Sequence, residues 1–294
     1  MLLPVSKSIS LIQTENGGKY PNCNCLLIDD EIKAVIDTGF EPGDLKVLQA
    51  MHLDVVINSH FHEDHVMNNR YFPDAEVWAH EDDAPAIRSL EAFQDFFGFK
   101  IFNKEHWGKK FIKVANLVPC PVHKEFKADE VLDFGRVKLR VIHTPGHTPG
   151  HCSFYQEQTG VLFTADIDLT RFGPWYAHTC SNLTDFIASI KKCMDINPPV
   201  ILSGHKGIIK ENIKERLQAY MDVILTREAR VINHLKESPL TLDQLSYKNI
   251  FYDDAQTGSD PFMRLLEKMA VYVHLQRLME LGEVKQQEDV FYIV

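Results

Sequence analysis

The stretch "HFHEDH", residues 60–65, places three histidines and two acidic residues within six positions. It follows the apolar run Val55-Val56-Ile57, which predicts that a buried β-strand ends where the polar cluster begins. Burying several imidazoles and carboxylates together is costly unless cations lie among them. The stretch therefore predicts a metal site at the end of a strand.

Three later strand ends carry further candidate ligands. The segments "LRVIHTPGH", "VLFTAD" and "VILSGH" each join an apolar run to a polar residue, and they end at His147, Asp166 and His205. Ligands of open α/β sheets gather at the carboxyl ends of strands, so we expect these residues to meet the first cluster. Imidazole and carboxylate donors suit zinc, iron or manganese, and the seven donors are enough for two ions.

The pattern along the chain predicts a layered α/β fold. The first segments, "KSISLIQTE", "NCLLIDD" and "EIKAVIDTG", alternate strands with turns and indicate an antiparallel meander. Helical patterns then alternate with the short strands "LDVVINS", "EVWAH", "KLRVIH", "GVLFTAD" and "PVILSGH". Strands interleaved with helices predict that the helices cover the outside of the sheets.

The order of these motifs resembles the metallo-β-lactamase superfamily, whose H-x-H-x-D-H signature precedes a later His, Asp and His. The similarity covers roughly residues 10–210 and includes opening strands like "NCLLIDDEIKAVIDTG". It implies a four-layer αββα sandwich with a dinuclear metal site at one edge. The ligands that it implies are His60, His62 and His147 for the first ion, Asp64, His65 and His205 for the second, and Asp166 as the bridge.

The resemblance also implies a chemistry. Two divalent ions, zinc in the first place with iron or manganese as alternatives, would hold a bridging hydroxide near neutral pH and polarise a carbonyl or phosphoryl oxygen. Asp64 and Asp166 would act directly in catalysis, with Asp166 orienting the bridging water. Tyr176 and His178 are further candidates, because a tyrosine beside such a centre polarises the carbonyl in lactonase-like relatives. The carboxylate at Asp166 points to glyoxalase-II-like, lactonase-like or RNA-processing relatives.

Other polar residues near the motifs match no ligand position. We expect His143, His151, Glu63 and Asp168 to be structural, solvent-facing or placed around the ligands.

Two aromatic segments are candidate pocket walls. Residues 82–125 have the pattern of helix plus loop, and the phenylalanines of "LEAFQDFFGFK" indicate either a helix packed on the core or a partner chain, or a lid over a pocket. After the bridging aspartate, "LTRFGPWYAH" brings Phe172, Trp175 and Tyr176 close to the metals. These aromatics either wall a pocket for an apolar acyl group or anchor the loop.

The predicted secondary structure changes near residue 225, where helices and a final hairpin replace the alternation of strands and helices. A helix in "TREARVINHLKES", a capping box from Thr241 to Gln244, a helix starting at Asp260-Pro261 and a hairpin in "EVKQQEDVFYIV" have the plan of a winged-helix module. We therefore divide the chain into a catalytic domain, residues 1–225 with a possible lid at 82–125, and a winged-helix-like module, residues 226–294.

Composition restricts the partners. The net charge is −10, and residues 237–294 carry five Lys and Arg against ten Asp and Glu, which disfavours nucleic acid. No local basic patch stands out. The N-terminus lacks a sustained apolar run and no stretch is long enough to span a membrane, so we expect a cytoplasmic protein with reduced cysteines. A homodimer is compatible with this composition.

The leading hypothesis is a dinuclear hydrolase of a small ester, thioester or lactone. The alternatives are a metal-dependent phosphodiesterase or ribonuclease and an iron-dependent persulfide dioxygenase. A non-catalytic DNA-binding regulator would need a basic recognition helix, which the sequence lacks.

Overall fold

The predicted N-terminal meander forms the first half of a seven-stranded sheet in the computed structural model, which describes residues 1–294. In order across the sheet, its strands are β1 (Leu2–Pro4), β2 (Ile9–Ile12), β3 (Cys25–Ile28), β4 (Ala34–Ile36), β5 (Val55–Asn58), β6 (Glu76–His80) and β7 (Lys124–Phe126). The first four strands are antiparallel, whereas β4 to β7 run parallel. The parallel half brings the carboxyl end of β5, and with it the histidine cluster, to one edge.

A second sheet of six strands packs against the first. Its strands are β8 (Val131–Asp133), β9 (Lys138–His143), β10 (Cys152–Gln156), β11 (Val161–Ala165), β12 (Val200–Ser203) and β13 (Gly207–Ile209), and they lie side by side in this order. Only β11 and β12 are parallel to each other. Their carboxyl ends therefore lie at the same edge, where Asp166 and His205 follow.

Seven α-helices belong to this part of the chain: α1 (Pro42–Met51), α2 (Glu63–Val66), α3 (Ala84–Arg88), α4 (Leu90–Phe97), α5 (Glu105–Val114), α6 (Leu183–Ile196) and α7 (Ile213–Glu237). Strand β5 shows why they cover the sheets. Val55 and Ile57 pack with residues of the second sheet, whereas Val56 points to the opposite face and packs with helix residues such as Leu48. Both faces of the strand are buried, which explains its unbroken apolar run. The predicted αββα sandwich is confirmed.

The segment predicted as helix plus loop, residues 82–125, contains α3, α4 and α5 and ends in β7. Phe93, Phe97 and Phe99 are at most 2% exposed and belong to the main core cluster. The segment is thus packed on the core, and it also contributes to the pocket described below.

The C-terminal part continues directly from α7. It consists of β14 (Leu240–Thr241), α8 (Leu242–Ser246), α9 (Asp254–Thr257), α10 (Pro261–Glu280), β15 (Val284–Gln287) and β16 (Val290–Ile293), with the strands paired in the order β14-β16-β15. The capping box of Thr241 and Gln244 and the N-cap at Asp260 form as predicted. None of the helices in the protein has both the length and the apolar character needed to cross a bilayer.

The predicted division at residue 225 falls inside the continuous helix α7. Leu265 and Met269 of α10 share the main buried cluster with Phe186 of α6, so the C-terminal part is packed against the catalytic part. A smaller cluster around Leu275 and Phe291 forms the part's own core. Its independence as a module stays a prediction.

Candidate metal centre and substrate pocket

The first predicted ligand group converges on a common point. His147 Nε2 lies 3.3 Å from His60 Nε2 and 3.0 Å from His62 Nδ1. Asp166 Oδ2 lies 3.3 Å from His147 Nε2 and 3.9 Å from His60 Nε2. Tetrahedral zinc with ligands at about 2.0–2.2 Å requires donor atoms roughly 3.4 Å apart, which matches these spacings.

The second predicted group lies on the other side of Asp166. His65 Nε2 and His205 Nε2 are 3.4 Å apart, and Asp64 Oδ2 lies 3.8 Å and 3.6 Å from them. Asp166 Oδ1 lies 3.0 Å from His65 Nε2 and 3.3 Å from His205 Nε2. The two carboxylate oxygens of Asp166 thus face different groups, as a bridging ligand requires.

Local backbone geometry places these side chains. Asp64 and His65 lie on the short helix α2, directly after the loop that follows β5. Gly39 permits this helix to approach the end of β4, because a Cβ atom at Gly39 would lie 1.8 Å from the backbone oxygen of Asp64. A glycine is therefore required at this position.

Two loops that carry ligands are joined by Asp83, a residue that the sequence did not single out. Its carboxylate accepts hydrogen bonds from Phe61 N at 3.1 Å, Thr148 Oγ1 at 2.6 Å and Gly150 N at 2.6 Å. Burial raises the pKa of Asp83 to about 6. Its contacts fix the "HFHEDH" loop relative to the loop that holds His147.

Asp37 orients His65 by binding the imidazole nitrogen that faces away from the other ligands. Its Oδ2 lies 2.9 Å from His65 Nδ1, and the backbone N–H and hydroxyl of Ser59 donate to the same carboxylate at 2.8 Å each. Because Nδ1–H of His65 donates to Asp37, Nε2 keeps its lone pair for a metal. The motif Asp37-Thr38-Gly39 was part of the resemblance, but this role of Asp37 was not predicted.

Backbone carbonyls orient two further ligands in the same way. His147 Nδ1–H donates to the carbonyl oxygen of Trp175 at 2.8 Å, and His205 Nδ1–H donates to that of Gly18 at 2.5 Å. In both imidazoles Nε2 is left to face Asp166.

The electrostatics of the site suit cations. Burial lowers the pKa of His60 and of His62, so both imidazoles are neutral and carry free lone pairs. Burial also opposes a charge on His205, yet Asp166 and Asp64 raise its pKa to about 10. Asp166 Oδ1 is buried without a hydrogen-bond partner. The first group thus offers neutral imidazole nitrogens, and the second group adds carboxylates, one of which has an oxygen without a partner. This combination fits two divalent ions held by the predicted ligands.

The structure corrects the prediction for Tyr176. Its side chain is fully buried and its hydroxyl lies 2.9 Å from His274 Nε2 on α10 and 3.3 Å from Arg227 Nη1 on α7. The ring therefore points into the packing between the catalytic and C-terminal parts and does not line the pocket. Tyr176 anchors its loop and does not polarise a substrate carbonyl.

His178 is likewise buried and takes no part in the pocket lining. The hydroxyl of Ser181 donates to the carbonyl of His147 at 2.9 Å and accepts Nδ1–H of His178 at 3.0 Å. His178 Nε2 then accepts Nε2–H of His62 at 2.9 Å. This chain of bonds leaves His62 Nδ1 free to face the first group, so His178 lies behind a candidate ligand and away from the pocket, where a polarising group would have to lie.

We expect His178→Ala to weaken metal binding at the first group by about 10–100-fold, as losses around metal ligands do. The second group should be unaffected. Competition with a chelator, followed by metal analysis, measures both affinities. His178→Gln is the matched control, because its amide oxygen can still accept from His62. Unchanged affinity combined with a lower kcat would instead favour direct action of His178 on the substrate.

The remaining predicted residues lie around the site. His151 Nε2 accepts the backbone N–H of Asp166 at 3.2 Å, and His143 Nε2–H donates to the carbonyl of Pro149 at 2.8 Å. Glu63 and Asp168 line the pocket beside the ligands, so neither is simply solvent-facing. Burial, together with the neighbouring Asp64, raises the pKa of Glu63 to about 8.

Four of the seven predicted metal ligands, His62, Asp64, Asp166 and His205, line a cavity of about 500 Å³. Its apolar walls come from four parts of the chain: Tyr20 from the loop after β2, Phe97 and Phe111 from the 82–125 segment, Phe172 and Trp175 from the loop after β11, and Tyr252, Phe262, Met263 and Leu266 from the C-terminal part. Lys19 is the one lysine or arginine in the lining. Of the aromatics predicted as walls, Phe172 and Trp175 do line the cavity, whereas Tyr176 does not.

Comparison with known proteins agrees with this geometry. Residues 19–205 match the Metallo-beta-lactamase superfamily, and all seven predicted ligands lie within this range. The chain belongs to the metallo-β-lactamase superfamily. It is a metal-dependent hydrolase of that superfamily, as predicted, and its substrate is the open question.

Three relatives illustrate the similarity. The structure of a metallo-beta-lactamase family protein from Thermus thermophilus superposes with a TM-score of 0.80 at 23% identity, covering 99% of this chain and 100% of that one. A beta-lactamase-like protein 2 homolog from Drosophila melanogaster is 23% identical over 89% of this chain and 84% of its own length. A hydroxyacylglutathione hydrolase from Haemophilus influenzae is 27% identical over 50% of this chain and 66% of its own length.

Proposed function

We propose that the protein hydrolyses a small acyl thioester or ester, or a lactone, with a thioester favoured. The observation that carries this proposal is the position of the ligand cluster at the floor of a largely apolar cavity. A carbonyl held above the ligands would place its acyl chain between the aromatic walls. The name of the Haemophilus relative, a hydroxyacylglutathione hydrolase, supports a thioester.

The residues present would hold two divalent ions, for which zinc is our first proposal. When bound, such ions lower the pKa of a water molecule and polarise a carbonyl oxygen. Asp166, facing both groups, would orient the attacking water and accept its proton, and Asp64 would hold the second group close to the leaving group. The contacts of Asp37 and His178 keep the imidazoles oriented while charge changes at the centre.

The walls would exclude water and select the acyl group. Trp175 and Phe97 lie next to His62, with ring centroids 5.3 Å and 5.6 Å from its imidazole. An apolar chain placed between them would be desolvated together with the reacting carbonyl, which strengthens the electrostatic interactions there.

The proposal is tested with a substrate panel. We expect metal-loaded protein to hydrolyse hexanoyl thioesters, with activity lost after chelation and restored by zinc, iron or manganese. Matched phosphodiesters and single-stranded RNA should be cleaved at least about a hundredfold less efficiently, and RNA should bind more weakly than about 10 µM at moderate salt. Cleavage of phosphodiesters alone would replace this proposal with a phosphodiesterase. Oxygen consumption with persulfides would favour the dioxygenase.

A further inference from the structure

A second cleft, of about 570 Å³, adjoins the substrate pocket. The two cavities share Phe172, Tyr252 and Gln256 in their linings. Trp175 Nε1–H donates to Tyr252 Oη at 2.9 Å, and the rings of Phe172 and Tyr252 lie 5.5 Å apart. These side chains lie between the apolar cavity at the metal ligands and a second cleft whose lining is more polar.

The cleft gathers basic side chains from separate parts of the chain. Arg171 follows β11, Arg227 and Arg230 lie on α7, and Lys248 follows α8. No such patch stands out in the sequence, and only the fold brings these four side chains into one cleft. The patch is not visible in the sequence because its four residues are spread over about 80 positions of a chain with net charge −10.

None of these four cations is paired with a carboxylate. Arg227, only 5% exposed, donates to the carbonyls of Pro174 and Phe172 and packs between the rings of Phe172 and Phe251. Arg230 donates to the carbonyls of Asn249 and Ile250. Arg171 and Lys248 are exposed and form no ion pair. Arg227 is satisfied by these carbonyls and rings, whereas the charges of the exposed Arg171, Arg230 and Lys248 lack a carboxylate partner and are available to an anionic ligand.

The acidic residues of the cleft are already engaged. Asp253 caps α9 by accepting the backbone N–H of Gln256 at 2.8 Å, and Asp254 accepts from the side-chain amide of Asn249. Four cations against two engaged acids leave the cleft positive, whereas the lining of the adjoining pocket is acidic and apolar. Guanidinium groups suit phosphate oxygens in particular, because their forked donors match the phosphate geometry.

We infer that this cleft binds the phosphate-bearing end of the thiol carrier of an acyl thioester. The acyl chain would occupy the apolar pocket, the thioester carbonyl would lie over the ligand cluster, and the carrier would pass Phe172, Tyr252 and Gln256 to reach Arg171, Arg230 and Lys248. The inference rests on the proposed thioester hydrolysis and adds a substrate class to it. Hydrolysis adds water across the carbonyl–sulfur bond and releases the carboxylic acid and the free carrier thiol.

The test compares three hexanoyl thioesters that differ only in the carrier. Coenzyme A carries phosphates, glutathione carries carboxylates, and N-acetylcysteamine carries neither. We expect kcat/KM to be at least about tenfold higher for the coenzyme A thioester than for the N-acetylcysteamine thioester, because charge-assisted hydrogen bonds form only with the former. The double variant Arg171→Ala/Lys248→Ala should remove this preference and leave the N-acetylcysteamine rate within about twofold.

Lys214→Ala, an exposed lysine on α7 outside the cleft, is the matched control and should retain the preference. Calorimetry with coenzyme A alone provides a readout independent of catalysis, and the double variant should bind it at least about tenfold more weakly. Coenzyme A binding that is lost in the double variant supports the cleft even if no thioester is cleaved, in which case only the proposed function fails.

Three results would overturn the inference. Equal cleavage of all three thioesters without coenzyme A binding would leave the proposed function standing and remove the cleft from it. A preference for the glutathione thioester, lost in the double variant, would identify carboxylate and not phosphate as the anion. RNA binding that depends on Arg171 and Lys248, without coenzyme A binding, would make the cleft a nucleic-acid groove.

Discussion

Asp166→Ala is expected to lower kcat/KM by about three orders of magnitude or more and to reduce bound metal from about two ions per chain to about one or fewer. The reason is geometric. Asp166 Oδ1 lies 3.0 Å from His65 Nε2, and Asp166 Oδ2 lies 3.3 Å from His147 Nε2. One side chain thus contributes to both groups, so its loss should disturb both. Elemental analysis and thioester kinetics on the same preparation measure the two effects.

Two comparisons make this prediction specific. His205→Ala should leave about one ion bound, because His205 lies in the second group only. Asp195→Ala, an exposed residue of α6, should change neither metal content nor rate. If Asp166→Ala still held two ions after reconstitution, Asp166 would not be a bridging ligand and the grouping of donors would have to be revised.

The convergence of the seven candidate ligands could be predicted from sequence because each of them is tied to a local signal. An apolar strand ends, a polar residue follows, and the topology of a layered sheet brings such ends together. Val55, Val56 and Ile57 are buried on both faces of their strand, which is why their run is apolar without alternation. At these residues the apolar sequence pattern and the buried position in the fold therefore agree.

Tyr176 shows where the sequence was insufficient. A tyrosine close in sequence to Asp166 suggested a residue facing the substrate, but the direction of its ring depends on distant partners. His274 and Arg227 bind its hydroxyl from α10 and α7, and no local pattern near residue 176 indicates either contact. The basic cleft escaped prediction for the same reason, because only the packing of α7 against the loops after β11 and α8 brings its residues together.

The role of the C-terminal part was only partly predictable. Its acidic composition disfavoured nucleic acid, and its helices and hairpin followed from capping and periodicity. What the sequence could not show is that Phe262 and Leu266 of α10 face the same cavity as Phe97, more than 160 residues earlier in the chain. The shape of this cavity thus depends on packing between the two parts.

This shared cavity predicts a strong dependence on the acyl chain. Each methylene buried contributes about 0.8 kcal/mol, so kcat/KM should rise roughly fourfold for each methylene added. The four methylenes that separate acetyl from hexanoyl thioesters should then give a rise of roughly 200-fold, until the cavity is full. Steady-state kinetics on one carrier thiol with acyl chains of increasing length measures the slope.

Phe262→Ala tests whether α10 forms the wall that produces this slope. Its ring packs against Trp107 and Phe111, with centroids 5.5 Å and 5.8 Å away, and its loss should reduce the slope to about twofold per methylene while both metals stay bound. Tyr247→Ala removes an aromatic of the same part that is 69% exposed, and it should leave the slope unchanged. A flat series in the unmodified protein would show that the acyl chain does not enter the cavity. An unchanged slope in Phe262→Ala would instead assign selection to the walls at Phe97 and Trp175, because these lie directly beside His62.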